Sequence, residues 1–324
     1  MNIEYGKREW TSEELDGVRE AVEDFRKRTN WPQAEIARKA EIPASTLNQF
    51  MNGKYPGNNG ELANRLTRWL TAHNEAQEFR QVAPKEPSFV QTRGALEVWA
   101  ALQHAQVLND TSVVVGPPGA GKTAAIRAYE ARTPRVFVIT SSPALSSPSA
   151  ILGRFIEQFT DENGHAGRSL ALKSSVVRRV LVKGSLLVLD EAQHASLDAL
   201  EELRAIVDAQ QCGLTMAGNA TVLRRLEGGS RNPAYAQLFG RIGHRTTLKK
   251  VSEADAALVL ETMGIDAAEV LKPAMEILAK EDLRVLIKAS RKALLLANGA
   301  NENLEPKHLR AAYRQLTGEP ARAA

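Results

Sequence analysis

The sequence predicts an α/β protein whose central parallel sheet is preceded and followed by helical regions. After residue 88, short runs rich in Val, Leu and Ile alternate with longer amphipathic segments, which is typical of strands joined by crossover helices. The central runs are continuously apolar, as expected for strands buried on both faces. Five runs are predicted to be strands: 112–115, 136–140, 185–189, 214–217 and 245–248, the last being the least apolar.

The chain is predicted to divide into three regions. Residues 82–88 contain two prolines within four residues, which interrupt helix and sheet alike, so they are interpreted as a linker. Residues 1–83 have helical patterns throughout, and residues 84–250 hold the predicted sheet. Residues 251–324 return to helical periodicity, and their apolar positions include Leu283, Leu286, Ile287 and Leu294.

Composition excludes several classes of protein. The chain has 324 residues, of which 43% are apolar and 25% charged, so it has enough apolar residues for a sizeable core. Its single cysteine, Cys212, cannot form an internal disulfide, and its six histidines are scattered rather than paired at metal-ligand spacing. No apolar run approaches the ~20 residues that span a bilayer. These features predict a cytoplasmic protein without a membrane partner.

The most specific motif is GPPGAGKT at residues 116–123, between the first predicted strand and a predicted helix at 122–132. Glycines allow the backbone N–H groups to surround phosphates, and the helix N-terminus favours negative charge. Lys122 is predicted to reach the β- and γ-phosphates, and Thr123 to bind Mg²⁺. The candidate nucleotide-binding residues of the loop are Gly116, Pro117, Pro118, Gly119, Ala120, Gly121, Lys122 and Thr123.

A second motif, LLVLDE, places two acids at the end of a buried strand. Ligands bind at the carboxyl edge of such sheets, so Asp190 is predicted to help hold nucleotide and Mg²⁺, and Glu191 to activate the attacking water. An isolated Asp-Glu pair could instead cap a helix. Together with the phosphate loop, it predicts ATP hydrolysis, and the chain lacks the N-K-x-D signature of guanine recognition.

Three further polar residues are catalytic candidates, each with a structural alternative. Asn219 follows the predicted fourth strand, where it could orient the attacking water or cap the next helix. Arg241 could act as an arginine finger on the nucleotide of a neighbouring subunit, or lie unused on the surface. Arg284 could reach the γ-phosphate from the tail helices, or be an ordinary solvated charge.

The head region has helix–turn–helix spacing over residues 33–53. Its second helix is predicted to expose short polar side chains suited to base edges or phosphates. These candidates are Ser45, Thr46, Asn48 and Gln49. Glu41 occupies the turn position where glycine is usual, because glycine accepts positive φ freely. The alternative is a helical bundle that binds protein.

Basic residues are concentrated in two stretches of the remaining chain. Residues 1–83 carry a net charge of −1 and residues 84–324 one of +5. Residues 164–189 have five basic side chains and no acidic one, and residues 224–250 have seven against Glu227. Such clusters suit a polyanion such as DNA, although a solvated surface is the alternative. The candidate DNA-binding residues are Arg168, Lys173, Arg178, Arg224 and Arg225.

The order of these motifs resembles the Mu B family of phage transposition proteins, which are AAA+ ATPases. The resemblance covers essentially the whole chain and includes LLVLDEAQH, LTMAGN and LFGRI. It implies an AAA+ core with an α-helical lid, and ATP-dependent, largely nonspecific binding of double-stranded DNA. It also implies helical self-assembly on target DNA, delivery of that DNA to a transposase, and release after hydrolysis, in the cytoplasm of a bacterial host. Arg168 and Lys173 correspond to the DNA-facing stretch of the family.

The motifs alone also suggest three alternative functions. A replication initiator or helicase loader would also combine AAA+ motifs with a helix–turn–helix. A DExH helicase is suggested by DEAQH at residues 190–194, but about 240 residues after the linker leave no room for a second RecA-like domain. A nucleotide-sensing repressor would bind a defined operator and turn over little ATP.

Overall fold

A computed structural model describes residues 10–84, 86–158, 169–227 and 240–318 of the chain. The chain forms two compact units, Met1–Ala83 and Pro84–Ala324. Throughout the described ranges, every helix is too short or too polar to cross a membrane.

In residues 10–84, the first unit has four helices around an apolar core. They are α1 (Ser12–Thr29), α2 (Gln33–Lys39), α3 (Ala44–Met51) and α4 (Asn59–Val82). Ile36, Leu47 and Phe50 are completely buried, as a helix–turn–helix packing of α2 on α3 requires. Glu41, in the turn between them, has a φ of 56° and so takes the left-handed conformation that glycine usually supplies. The geometry fits the predicted motif, whose role in binding DNA remains a prediction.

The second unit contains a five-stranded, all-parallel sheet, which confirms the predicted α/β fold. The strands are β1 (Thr111–Val115), β2 (Val136–Thr140), β3 (Leu186–Asp190), β4 (Gly213–Gly218) and β5 (Ile242–Thr247). Their order across the sheet is β2-β3-β4-β1-β5. The three central strands are buried along their whole length, because helices cover both faces.

Helices on the two faces of the sheet enclose separate apolar clusters. One contains Ile151, Phe155 and Leu203, and the other contains Val98, Leu102 and Ile126. The helices of this part are α5 (Arg93–Leu108), α6 (Lys122–Arg132), α7 (Pro148–Ile156), α8 (Leu170–Val180), α9 (Leu197–Gln210) and α10 (Ala220–Glu227). A short 3₁₀ turn covers Ala192–His194.

The second unit ends in a helical lid with its own apolar cluster, centred on Leu260, Leu286 and Leu309. Its helices are α11 (Glu253–Glu261), α12 (Ala268–Lys280), α13 (Leu283–Ala300) and α14 (Pro306–Thr317). Asp282 caps α13, because its Oδ1 accepts the backbone N–H of Val285 at 3.0 Å. This cap begins α13 directly beside the phosphate loop.

The last strand begins three residues before its predicted start. Strand β5 covers Ile242–Thr247 rather than 245–248, and buried and more exposed residues alternate along it. It lies at the edge of the sheet, where one face is open to solvent, so it lacks the continuous apolar run that predicts the central strands.

Candidate nucleotide-binding site

The phosphate loop connects β1 to α6 at the carboxyl edge of the sheet. Gly119 and Gly121 have φ values of +72° and +83°, which side chains rarely adopt. At Gly116, an added Cβ would lie 2.8 Å from the Cβ of Leu248. Three glycines are therefore required by the local backbone and packing, and they leave a narrow concavity in front of the N-terminus of α6. Such a concavity fits a phosphate chain.

Lys122 is folded back onto the loop that precedes it. Its ammonium donates to the carbonyl oxygens of Gly116 and Pro117, at 2.9 and 3.0 Å. Burial lowers the pKa of the Lys122 ammonium. The carboxylates of Glu191 and Asp190 oppose that shift, and the cation of Arg284 adds to it. A half-buried ammonium held by two neutral carbonyl acceptors can exchange them for a phosphate.

Asp190 joins the loop to the end of β3. It is 1% exposed, and its Oδ2 accepts the hydroxyl proton of Thr123 at 2.7 Å. Its Oδ1 accepts the backbone N–H of Glu191 at 3.0 Å. The hydroxyl and carboxylate oxygens of this pair are hard ligands of the kind Mg²⁺ binds, and they lie beside the concavity for phosphate. The residues present therefore fit a magnesium ion.

Glu191 sits in a constrained turn. Its φ of 55° is in the left-handed region, and its carbonyl accepts the hydroxyl of Ser141 at 2.7 Å. One carboxylate oxygen accepts a hydrogen bond from the side-chain amide of Gln193. Gln193 belongs to the DEAQ motif, but sequence reasoning assigns its side chain no role. Its contact depends on the 3₁₀ turn, which the spacing of apolar residues does not reveal.

Asn219 lies directly after β4, as predicted. Its Oδ1 accepts the backbone N–H of Thr221 at 2.8 Å, so the carbonyl end of the side chain caps α10. Its own backbone N–H donates to the Oε1 of Gln193 at 3.3 Å. Asn219 therefore caps the next helix, which is the second of the two roles that the sequence allows. A contact with water or nucleotide would use its Nδ2 atom.

The two candidate arginines belong to different parts of the second unit. Arg284 follows the cap of α13, and its charge is close enough to Lys122 to lower the pKa of that side chain. Arg241 directly precedes β5 and is 3.8 Å from Asp208. Since Ile242 pairs with Thr111 at the start of β1, a strand length of about 16 Å separates Arg241 from the loop of its own chain.

A cavity of about 550 Å³ opens beside the phosphate loop. Pro117, Pro118 and Gly119 form one wall, and residues 250–253 and 278–283 form the others. The lid therefore supplies most of the lining. The position of Asp282 matters, because an added Cβ on Gly119 would meet its side chain at 2.8 Å.

The predicted DNA-binding residues of the second unit differ in how strongly their side chains are hydrogen-bonded within the chain. Lys173 donates to the carbonyl and hydroxyl oxygens of Ser149, both at 3.0 Å. Arg178 donates to Ser174 and to the carbonyl of Ala205. These two cations are half-buried and hold α8 against neighbouring helices.

On α10, Arg225 donates to the carbonyls of Gln193 and Ala195, at 2.7 and 3.2 Å. Arg224 is exposed and donates to the nearby hydroxyl of Thr221 at 3.1 Å. Arg179, a member of the predicted basic stretch that was not among the candidates, is exposed on α8. The predicted contact Arg168 lies outside the described residues.

In the first unit, α3 presents the predicted polar face. Ser45, Asn48 and Gln49 are exposed, and Thr46 is half-buried. Since Leu47 and Phe50 of the same helix point into the core, Ser45, Asn48 and Gln49 share the opposite side, and Thr46 lies at its border.

Comparison with known proteins identifies the class first. Residues 109–226 match the AAA domain family. The Aeropyrum pernix ORC2 protein has a TM-score of 0.54 at 16% identity, with 74% of this chain and 71% of that chain covered. A Walker-type ATPase of Pyrococcus abyssi has a TM-score of 0.51 at 13% identity, with 72% and 74% covered. These structures share the fold, and the phosphate loop with its acidic strand end makes the chain an AAA-type ATPase.

The family is more specific than the class. Residues 240–316 match the C-terminal domain of the Mu B transposition protein. The ATP-dependent target DNA activator B of Escherichia phage Mu is 31% identical over 301 residues, which covers 93% of this chain and 94% of that protein. The Mu-like prophage FluMu DNA transposition protein B of Haemophilus influenzae is 31% identical, with 73% and 82% covered. The chain belongs to the Mu B family of transposition proteins, as its motifs predicted.

Proposed function

We propose that this protein is an ATP-dependent activator of target DNA for a transposase, and that ATP hydrolysis ends its hold on the DNA. The observation that carries the proposal is the position of the Thr123–Asp190 pair at the phosphate loop, in a chain whose relatives from phages Mu and D108 are ATP-dependent target DNA activators. Exposed cations on the same unit would bind the phosphates of DNA.

The side chains support a direct hydrolysis by water. ATP would place its phosphates in the loop, where Lys122 exchanges carbonyl partners for the β- and γ-phosphates. Glu191 would accept a proton as the water oxygen attacks the γ-phosphorus and the bond to the ADP oxygen breaks, giving ADP and phosphate. Arg284 belongs to the lid helix α13 and its charge acts on Lys122, so it can stabilise the γ-phosphate from the lid.

Thr123 and Asp190 would hold Mg²⁺ at this site. When bound, the ion neutralises charge on the phosphates. The cavity between loop and lid has room for the base and ribose of ATP.

DNA would contact the unit through Arg179 on α8 and Arg224 on α10, because these cations are exposed. Lys173, Arg178 and Arg225 already donate to partners within the chain, so they support the helices that carry the exposed cations. The α3 face with Asn48 and Gln49 would add contacts from the first unit.

Assembly of many copies would compensate for the few cations of each. Every DNA phosphate contact is modest, but subunits joined through ATP place repeated contacts along one duplex. Arg241 would complete the nucleotide site of the next subunit, so ATP would strengthen assembly and the transposase would meet the protein as a filament on target DNA.

The test measures binding of random-sequence duplex DNA with ATP, with ADP and without nucleotide, across a range of salt concentrations. We expect tight binding with ATP only. Each lost phosphate contact flattens the log–log salt slope by about 0.9 per subunit, so Arg179→Ala and Arg224→Ala should each flatten it. Stimulation of strand transfer by a Mu-type transposase on the same DNA completes the test.

Arg178→Ala is the matched control, because it removes the adjacent charge of α8 while its guanidinium faces Ser174 and Ala205. We expect it to leave the salt slope nearly unchanged. Equal DNA binding with ATP, ADP and no nucleotide would contradict the proposal, and so would strong preference for one operator sequence.

A further inference from the structure

The side chain of Gln193 connects two parts of the nucleotide site. Its Nε2 donates to a carboxylate oxygen of Glu191, and its Oε1 accepts the backbone N–H of Asn219 at 3.3 Å. Both ends of the amide are therefore used, and they join the end of β3 to the end of β4. A side chain held at both ends has little freedom to rotate.

The backbone of Gln193 is fixed as well. Arg225 of α10 donates to its carbonyl oxygen at 2.7 Å and to that of Ala195 at 3.2 Å. These bonds hold the 3₁₀ turn Ala192–His194 against α10. The backbone that carries the side-chain amide of Gln193 is therefore held in place.

The strand beside the turn leaves a gap for this amide. An added Cβ on Gly218, the last residue of β4, would collide with the Oε1 of Gln193. The φ of Gly218 is not positive, so the backbone does not require glycine here. The space is taken by the glutamine side chain and by the Cγ2 of Val222, which an added Cβ would meet at 2.7 Å.

We infer that Gln193 is a positioning residue for ATP hydrolysis: it holds the carboxylate of Glu191 in the orientation that meets the attacking water. The bond leaves the second carboxylate oxygen to accept the proton from water. A carboxylate fixed before the reaction needs no reorientation during it, which is how preorganised groups lower a barrier. In this role Gln193 acts through Glu191 and needs no contact of its own with water or phosphate.

This role belongs to the ATPase reaction of the full chain and rests on Glu191 as the base. Steady-state hydrolysis without DNA or transposase tests it, so the result is independent of the proposed function on target DNA. We expect Gln193→Ala to lower kcat about tenfold while KM for ATP stays within about twofold, because the loop that binds the phosphates is unchanged. Gln193→Glu keeps the size of the side chain but removes the donor, and should lower kcat at least as much.

His194→Ala is the control, since His194 belongs to the same turn and is exposed. It should retain the kcat of the unchanged protein. Nucleotide binding by a fluorescent ATP analogue and the melting temperature distinguish positioning from folding. A kcat of Gln193→Ala that is unchanged or raised would overturn the inference, and so would a loss that appears equally in ATP binding and melting temperature.

Discussion

At the scale of single residues, the proposed chemistry depends most on Glu191. Replacing it by Gln removes the proton acceptor but keeps the size of the side chain. We expect Glu191→Gln to bind ATP normally and to hydrolyse it about 10²–10⁴-fold more slowly. Single-turnover hydrolysis and equilibrium nucleotide binding measure the two effects. Asp198→Asn, an exposed acid at the start of α9, should change neither, and fast hydrolysis by Glu191→Gln would remove Glu191 as the base.

Cys212 offers a second residue-level prediction. Its side chain is 2% exposed, its Sγ lies 3.1 Å from the carbonyl of Val182, and burial raises the pKa of its thiol. A raised pKa leaves less thiolate at mildly alkaline pH, and burial blocks access to it. We expect a thiol reagent to modify the native chain at least about tenfold more slowly than the unfolded chain. Because the chain has one cysteine, labelling at one thiol per chain measures this directly, and rapid native labelling would contradict it.

The residues of the site differ in how far the sequence could predict them. Phosphate chemistry demands Lys122, Thr123 and Asp190 in fixed motifs, so the motifs alone predict these residues, and the fold brings them together. Gln193 could not be predicted, because its bond to Glu191 depends on the 3₁₀ turn and its bond to Asn219 arises only when β3 and β4 lie side by side. Hydrogen bonds between segments far apart in sequence leave no periodic pattern.

At the scale of elements, the packing of β4 under α5 depends on one glycine. An added Cβ on Gly213 would collide with the backbone carbonyl of Ala105, which cannot rotate away. We expect Gly213→Ala to lower the free energy of unfolding by at least about 1–3 kcal/mol, the usual cost of overpacking. Chemical denaturation measures it.

Gly299→Ala is the opposite case and serves as the control. Gly299 lies in α13, where an added Cβ meets nothing within 4 Å. Alanine restricts the unfolded chain and favours helix, so stability should rise by up to about 1 kcal/mol. Similar destabilisation by both substitutions would show that the close approach at Ala105 is not the cause.

Elements were predicted best where burial dictates composition. Strand β2 and helix α6 have the predicted bounds, and β1, β3 and β4 differ from theirs by one residue at one or both ends. Strand β5 starts three residues earlier than predicted, since an edge strand needs apolar residues on one face only. The lid cavity was not predicted, because it forms between the loop at Pro117 and residues more than 130 positions later.

At the scale of the whole molecule, the position of Arg241 determines what a single subunit can do. It lies at the amino edge of the sheet, whereas the phosphate loop of the same chain lies at the carboxyl edge. If Arg241 is the finger, it can act only on a neighbour, through a head-to-tail contact of the kind that builds rings or open helical filaments. Hydrolysis and assembly would then share one interface, which connects ATP turnover to release from DNA.

Mixing two inactive variants tests this two-sided site. Arg241→Ala keeps Glu191 but lacks the finger, and Glu191→Gln keeps the finger but lacks the base, so each alone should hydrolyse little ATP. In an equimolar mixture, a complete site forms wherever the loop of an Arg241→Ala subunit faces the arginine of a Glu191→Gln subunit. Random assembly produces this pairing at about a quarter of the interfaces, so we expect up to about a quarter of full activity. When a variant that carries both substitutions replaces Glu191→Gln in the mixture, no ATPase activity should be restored. Activity of the first mixture equal to the sum of its parts would show that Arg241 does not complete a neighbouring site.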